Sequence, residues 1–278
     1  MTESDALDTI GYWTEVKLDI VKDYAAAYSN ILSAQKTPEL FHVYIDAFAG
    51  PGVAISKSTG EYVPGSPLNA LLIDPPFREF FFIDTSQKKL ATLKRIIAGR
   101  NDVHVFGGDC NSILMERVFP CVRYQDYRRA LCLLDPYGLH LNWAVVERAG
   151  EMNSIDMFLN FPLMDMNRNV LWHNPNGVAP QDIKRMNRFW GDESWRGAAY
   201  TSEGMLFDNM EQKQKNRVIA EAYCKRLREV ASFNIVSEPL PMCNSRRAIV
   251  YYLIFASQKR VAGDIIDHIF AKYRDWAG

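Results

Sequence analysis

Charge of either sign is not in excess: 32 Lys and Arg stand against 33 Asp and Glu in 278 residues, a formal net charge of -1. A protein held to nucleic acid by bulk charge is thereby excluded. A local basic patch is not, because phosphate affinity depends on the surface near the site. Long apolar runs are missing as well. None reaches the roughly 20 residues a membrane-spanning helix needs. The opening MTESDALDTI has neither the basic nor the apolar region of a secretory signal. Cysteine is scarce: Cys110, Cys121, Cys132, Cys224 and Cys243 are odd in number and widely spaced, with no CxxC or Cys/His pair at metal-ligand spacing. Reduced thiols in a cytoplasmic protein, with no metal site and no membrane contact, are the expectation.

Apolar residues are abundant, at 48% of the chain, so a sizeable core is affordable. After a frayed start, Val16, Ile20, Val21, Tyr24 and Tyr28 share one stripe of an N-terminal helix within residues 11–36. FHVYIDAFAGPG then reads as a buried strand breaking into glycines, and residues 53–64 as a Ser/Gly-rich excursion. A helix follows, with Ser66 as its N-cap and Pro67 at its first position. Strands are expected at 79–84, 102–109, 129–138 and 154–162, alternating with helices over 85–99, 111–119 and 142–151. Parallel neighbours need such crossovers, so a parallel sheet covered on both faces is implied. FNIVSEPL and AIVYYLIFAS would form an antiparallel edge before a last helix, KRVAGDIIDHIFAKY, and an amphipathic helix spans 211–230. Residues 163–206 hold three of the six tryptophans and fit none of this alternation. One Rossmann-like α/β domain over residues 1–278, with that insertion as a lid at its active edge, is the predicted architecture.

In open α/β sheets ligands bind beyond the carboxyl ends of the strands. The first strand ends in Asp46 and runs into Phe48, Gly50 and Gly52, where glycines let a ligand approach the backbone. The second ends in Asp84, an acid able to accept from both hydroxyls of a ribose; the third ends in Gly107-Gly108-Asp109-Cys110, where Asp109 can accept from an adenine amine. Helix capping and ordinary turns account for these residues equally well. A dinucleotide fingerprint is absent, because Ile55 stands where its third small residue belongs. The fourth strand ends in Asp135-Pro136-Tyr137-Gly138. A short carboxylate beside a proline carbonyl can take both hydrogens of an amino group and turn its lone pair outward. A simple turn is the alternative. The literal Asp74-Pro75-Pro76-Phe77 falls between a helix and the second strand, hence at the amino edge, away from any ligand.

Taken together, GYWTEVKLDIVKDY, YIDAFAGPG, PGSPLNAL, FFFID, GGDCN, LLDPYGLHLNW and DMFLNFPLMDMNR, in that order over residues 11–168, resemble the three-Cys-motif partner protein family. A three-cysteine-motif protein is the partner this resemblance implies. More distantly, the chain is similar to ribosomal-RNA adenine-N6 methyltransferases that carry a D-P-P-Y motif. That likeness implies a class I methyltransferase sheet, S-adenosylmethionine as cofactor and transfer to an amino nitrogen, with a nucleic acid as a candidate partner. It matches Lys22 to a helix lysine, and Asp135 and Pro136, with Tyr137, to the catalytic motif. Asp46, Phe48, Gly50, Gly52, Ser66, Asp84, Asp109 and Cys110 fall to the cofactor. Tyr137 stands where a second proline is expected and Gly138 where the stacking aromatic should be.

Lys17 is chemically as good a candidate as Lys22; only the resemblance favours Lys22. In the insertion, Arg168, Lys184, Arg185, Arg188, Phe189, Trp190 and Trp195 interleave cations and aromatics in the manner of a nucleic-acid surface. Its acids balance its bases, which suits a neutral lid packed by its tryptophans equally. The altered Asp-Pro-Tyr-Gly motif also keeps open a catalytically idle scaffold that serves as a partner subunit.

Overall fold

Side chains in each central strand alternate between two faces, and both faces are buried, as in a sheet covered on both sides. The computed structural model describes residues 7–201, 212–244 and 247–274. A short strand, β1 (Asp8–Ile10), leads into the long helix α1 (Tyr12–Ala34). Val16, Ile20, Val21, Tyr24 and Tyr28 are buried on α1, and Lys17 is buried among them. β2 (Phe41–Asp46) follows, and the excursion is a hairpin of β3 (Val53–Ser56) and β4 (Tyr62–Pro64). The segment before α1 does not fray from residue 8 onward: β1 pairs in parallel with β3. Three residues are too few to show a period, and their partner lies far along the chain.

α2 (Ser66–Leu71) is capped by Gly65, not by Ser66. Gly65 donates its amide to the Gly52 carbonyl at 2.7 Å, and a Cβ there would lie 3.0 Å from that oxygen. The close approach selects glycine as the cap and moves Ser66 into the first turn. β5 (Glu79–Asp84), α3 (Gln87–Ile96) and β6 (Val103–Gly107) come next, with Ser86 capping α3. The helix expected over 111–119 is instead α4 (Cys110–Ile113) running into a π-helical turn, Leu114–Val118, and a short 3-10 turn that contains Pro120. Proline lacks the amide donor that would continue it.

β7 (Arg128–Leu134), α5 (Trp143–Glu151) and β8 (Ile155–Phe161) complete the parallel set. The insertion supplies α6 (Leu163–Asn169), α7 (Pro180–Trp190), α8 (Trp195–Ala199) and β9 (Tyr200–Thr201); its residues 202–206 lie outside the described residues. β10 (Gln212–Lys213) pairs with β9, so the next helix, α9 (Asn216–Glu229), starts later than its amphipathic pattern suggests. Then come β11 (Ile235–Val236), β12 (Leu240–Cys243), β13 (Ile249–Ser257) and α10 (Arg260–Arg274).

The main sheet has the order β6-β5-β2-β7-β8-β13-β11, with β12 also on β13. β6, β5, β2, β7 and β8 are parallel, and β13 is antiparallel to β8, β11 and β12. The fold is Rossmann-like α/β with an antiparallel edge. Val43, Ile45, Cys132 and Leu134 face one core layer with Trp143, Trp190 and Tyr223; Tyr44, Phe82, Leu133 and Phe158 face the other with Tyr24 and Phe270. All five cysteines are free. No helix of the described residues is long and apolar enough to cross a membrane.

Candidate functional site

Strand order reverses at β2. β5 and β6 extend the sheet to one side, and β7 and β8 to the other. The connections therefore part at the carboxyl ends of β2 and β7, which opens a crevice there. Asp46 ends β2, and Asp135 lies two residues past Leu133, its partner across the strands. Asp46 accepts the Phe48 amide at 3.1 Å and shapes the turn that follows. Gly50 and Gly52 take φ of +62° and +83°, left-handed conformations that favour glycine. The space a Cβ would occupy at Gly50 is empty within 4 Å, whereas at Gly52 it would lie 2.8 Å from Leu93.

Two clefts meet at this loop. The first, of about 560 Å³, is lined by Gly50, Gly52, Ser66, Lys17, Asp135, Pro136 and Asn160. The second, of about 640 Å³, is lined by Asp84, Asp109, Cys110, Arg185 and Arg188. Phe48 and Tyr137 border both. The structure thus brings every expected site residue except Asp46 and Lys22 to a cleft wall, and Asp46 lies buried directly before the loop.

Around the second cleft the acids have structural work. Asp84 accepts the Gly50 amide at 2.9 Å and the Ser86 amide at 2.7 Å, so it ties the glycine loop to the second strand. Each of its oxygens keeps a further lone pair for a ligand. Asp109 caps α4 and also accepts from the Asn111 side chain at 2.9 Å. Both the capping and the cleft-lining readings of Asp109 therefore hold at once. Burial pushes the Cys110 thiol up to about 12, so this residue presents a neutral surface.

In the first cleft Asp135 is held from two sides. Lys17 donates its ammonium to one carboxylate oxygen, and the Asn160 amide donates to the other at 2.7 Å. The Lys17 side chain is 5% exposed and that of Asp135 27%. Burial alone would lower the lysine pKa, but Asp135, with Tyr251 and Asp46 adding to it, holds it above the ordinary lysine range. Lys22 is a correction. It is exposed on the outer face of α1, because a helical period of 3.6 places it away from the stripe that carries Lys17.

Burial also pushes the Asp46 carboxyl up to about 7, against the Ser66 hydroxyl and Phe48 amide that favour its charged form. One of its oxygens is buried without a hydrogen-bond partner. Tyr137 is 73% exposed. Its hydroxyl lies 3.2 Å from Lys89, which in turn pairs with Asp8 at 2.6 Å. β1 is thereby fastened at the front of the site.

Two contributors escaped the sequence reading. Asn160 is a polar residue inside the apolar run of β8, and that interruption was the available signal. Asp165 accepts the Leu139 amide at 3.1 Å and pairs with Arg185 at 3.0 Å, anchoring the insertion to the loop after Asp135. Nothing local announces that contact. The aromatic set proposed for the insertion is also corrected. Phe189, Trp190 and Trp195 are 0%, 1% and 2% exposed, with Phe189 and Trp190 packed on Tyr223. The insertion borders both clefts with polar groups instead, Arg168 on one and Arg185 and Arg188 on the other.

No family model matches the chain, and no curated protein matches it. Among solved structures, the chain is similar to a Legionella pneumophila protein of the DUF519 family, with a TM-score of 0.51 and 12% identity over 92% of this chain and 90% of that one. The methyltransferase domain of a bacterial Hen1 protein aligns with a TM-score of 0.41 and 14% identity over 86% and 99% of the two chains. A Listeria monocytogenes protein, provisionally assigned as an S-adenosylmethionine-dependent methyltransferase, aligns with a TM-score of 0.39 and 13% identity over 84% and 100%. The first of these likenesses is one of fold.

Proposed function

We propose that the protein is an S-adenosylmethionine-dependent methyltransferase acting on an amino nitrogen, with a nucleic-acid base as acceptor. The observation that carries this reading is the fixed carboxylate of Asp135, beside the Asp46–Gly52 loop at the switch point of the sheet. The residues fit the cofactor. Asp84 has lone pairs left for hydroxyls, and Gly50 leaves its Cβ space open.

Asp84, Asp109 and the glycine loop would hold the cofactor, which when bound supplies an electrophilic methyl group. The remaining work belongs to this chain. Lys17 and Asn160 fix the Asp135 carboxylate in one orientation. Asp135 and the Pro136 carbonyl, which accepts no hydrogen bond among the described residues, then take the two amine hydrogens and aim the nitrogen lone pair. Alignment of this kind is the main contribution such a site makes. Exposed cations at the mouth, Lys57 and Arg168, suit a phosphate backbone. The family resemblance adds a three-cysteine-motif protein as partner, and the reduced thiols suit a cytoplasmic location.

One observation favours a second reading, an idle scaffold for that partner: both Asp135 oxygens already take a donor, and Tyr137 is engaged with Lys89 rather than free to stack. Calorimetric titration with S-adenosylmethionine and S-adenosylhomocysteine, beside Asp109→Ala, separates the two. Binding that weakens in the variant, followed by transfer of labelled methyl to RNA or DNA, supports the enzyme. No binding by the wild-type protein, alone or with its partner, overturns it in favour of the scaffold.

A further inference from the structure

A different cavity, of about 470 Å³, opens at the amino ends of β7 and β8, the opposite end of the sheet from the clefts above. α1, the turns before β2 and β7, and the start of α10 enclose it. Its volume and its apolar walls, Ile31, Leu32, Leu40, Val261 and Ile265, are those of a small-molecule site. Polar groups gather within it. Asp156 is fixed by the Tyr24 hydroxyl at 2.7 Å and the Ser257 hydroxyl at 2.5 Å. Tyr28 is 8% exposed and lines the cavity. Its hydroxyl feels both Asp156 and Arg129. Arg129 and Lys259 lie against the ring of Tyr124, at 3.8 and 5.6 Å from its centre. Lys259 has no carboxylate partner among the described residues.

Donors on the wall of a largely apolar cavity are the groups that fix the polar head of a ligand. Asp156 cannot serve a cationic ligand well, because both its oxygens are already taken and burial raises its carboxyl to about 6. The groups left to a ligand are donors: the Tyr28 hydroxyl, the Lys259 ammonium and the remaining N–H groups of Arg129, whose Nη1 already donates to the Arg128 and Tyr124 carbonyls at 2.7 and 3.2 Å. We infer that this cavity binds a small amphipathic carboxylate, its apolar body between α1 and α10 and its head against Tyr28, Arg129 and Lys259. The inference does not depend on the methyltransferase reading, since no residue of that site takes part.

The test is calorimetry of the full chain with decanoate, decanol and inorganic phosphate as separate probes. Decanoate is expected to bind at least about tenfold more tightly than decanol, the worth of one charged hydrogen bond, and phosphate alone to give no heat. Lys259→Glu should weaken decanoate by about tenfold or more and Tyr28→Phe by a smaller factor. Val261→Trp, a change at an exposed rim position, should block entry, while Asp135→Ala should leave decanoate binding unchanged. Failure of the wild-type protein to bind decanoate overturns the proposal. So does equal affinity for decanol, or binding that survives both Lys259→Glu and Val261→Trp.

Discussion

Lys17 and Asp135, 118 residues apart in the chain, meet in a part-buried ammonium–carboxylate hydrogen bond. It joins the first long helix to the end of the fourth parallel strand, at the reversal point of the sheet. A charge kept on α1 at the cost of its desolvation thus has a defined task, which is to hold the Asp135 carboxylate at the wall of the first cleft.

Replacing Lys17 by Met should reduce methyl transfer strongly, and the same change at exposed Lys22 should leave it intact. Stability should fall by about 1–3 kcal/mol at Lys17, less than a fully buried pair loses, because Asp135 keeps 27% exposure. Urea denaturation of both variants, with labelled-methyl assays, checks this. Loss of activity in the Lys22 variant with the Lys17 variant spared would put the helix lysine back at position 22.

Alanine at Asp135 should lower turnover by at least about 10²-fold, as misaligned acceptors do. Cofactor affinity should change little, since Asp84 and Asp109 lie in the other cleft. A single-turnover assay beside a calorimetric titration separates the two effects. Turnover at the wild-type rate would sink the assignment of Asp135.

Burial lifts Asp46 to about 7 and Asp156 to about 6, both above the ordinary value of 3.8. Between the unfolded and folded values the folded protein holds more protons than the unfolded chain. Stability from these groups is therefore lost as pH rises from about 4 to about 7 and is level above it. Asp46→Asn cannot ionise, so its stability relative to wild type should climb across that window, with the part due to Asp156 retained in both. Denaturant midpoints at several pH values report it. A constant difference between the two proteins would contradict the assignment.

Alanine at Gly50 and at Gly52 should differ. At Gly50 only the left-handed backbone is strained, for about 1 kcal/mol. At Gly52 the same strain adds to a contact of 2.8 Å with Leu93, and the total should reach about 2–3 kcal/mol. Equal shifts in thermal midpoint would mean that Leu93 moves aside freely.

Much of this was legible in the residues alone. The five parallel strands, the glycine loop after Asp46 and the acids at 84, 109 and 135 follow from local patterns: a short apolar run, then a turn, then a helix. Once strands are parallel and alternate with helices, their carboxyl ends must share one edge, so these side chains gather without further information. The position of Asp74-Pro75-Pro76-Phe77 was decided the same way. Phe77, 2% exposed, packs in the core beside Tyr28 and Tyr44, ahead of the first residues of β5.

Other features required the tertiary structure. Whether Lys17 or Lys22 meets Asp135 depends on how α1 is rotated against the sheet, and a lysine among apolar neighbours only hints at it. Pairing of β1 with β3, the displacement of Ser66 from the cap by the Gly65–Gly52 approach, and the grip of Asp165 on the loop after Asp135 are contacts between distant segments. Trp190 and Trp195 of the insertion turned inward, while Trp172 keeps 42% exposure, because burying large rings in the core removes more apolar surface from water than an exposed arrangement. Local pattern determined the main strands and helices and their order, while contacts such as β1 on β3 and β10 on β9 added short strands and moved helix ends. Packing energy, summed over partners far apart in the chain, decided which side chains those elements turn toward the site.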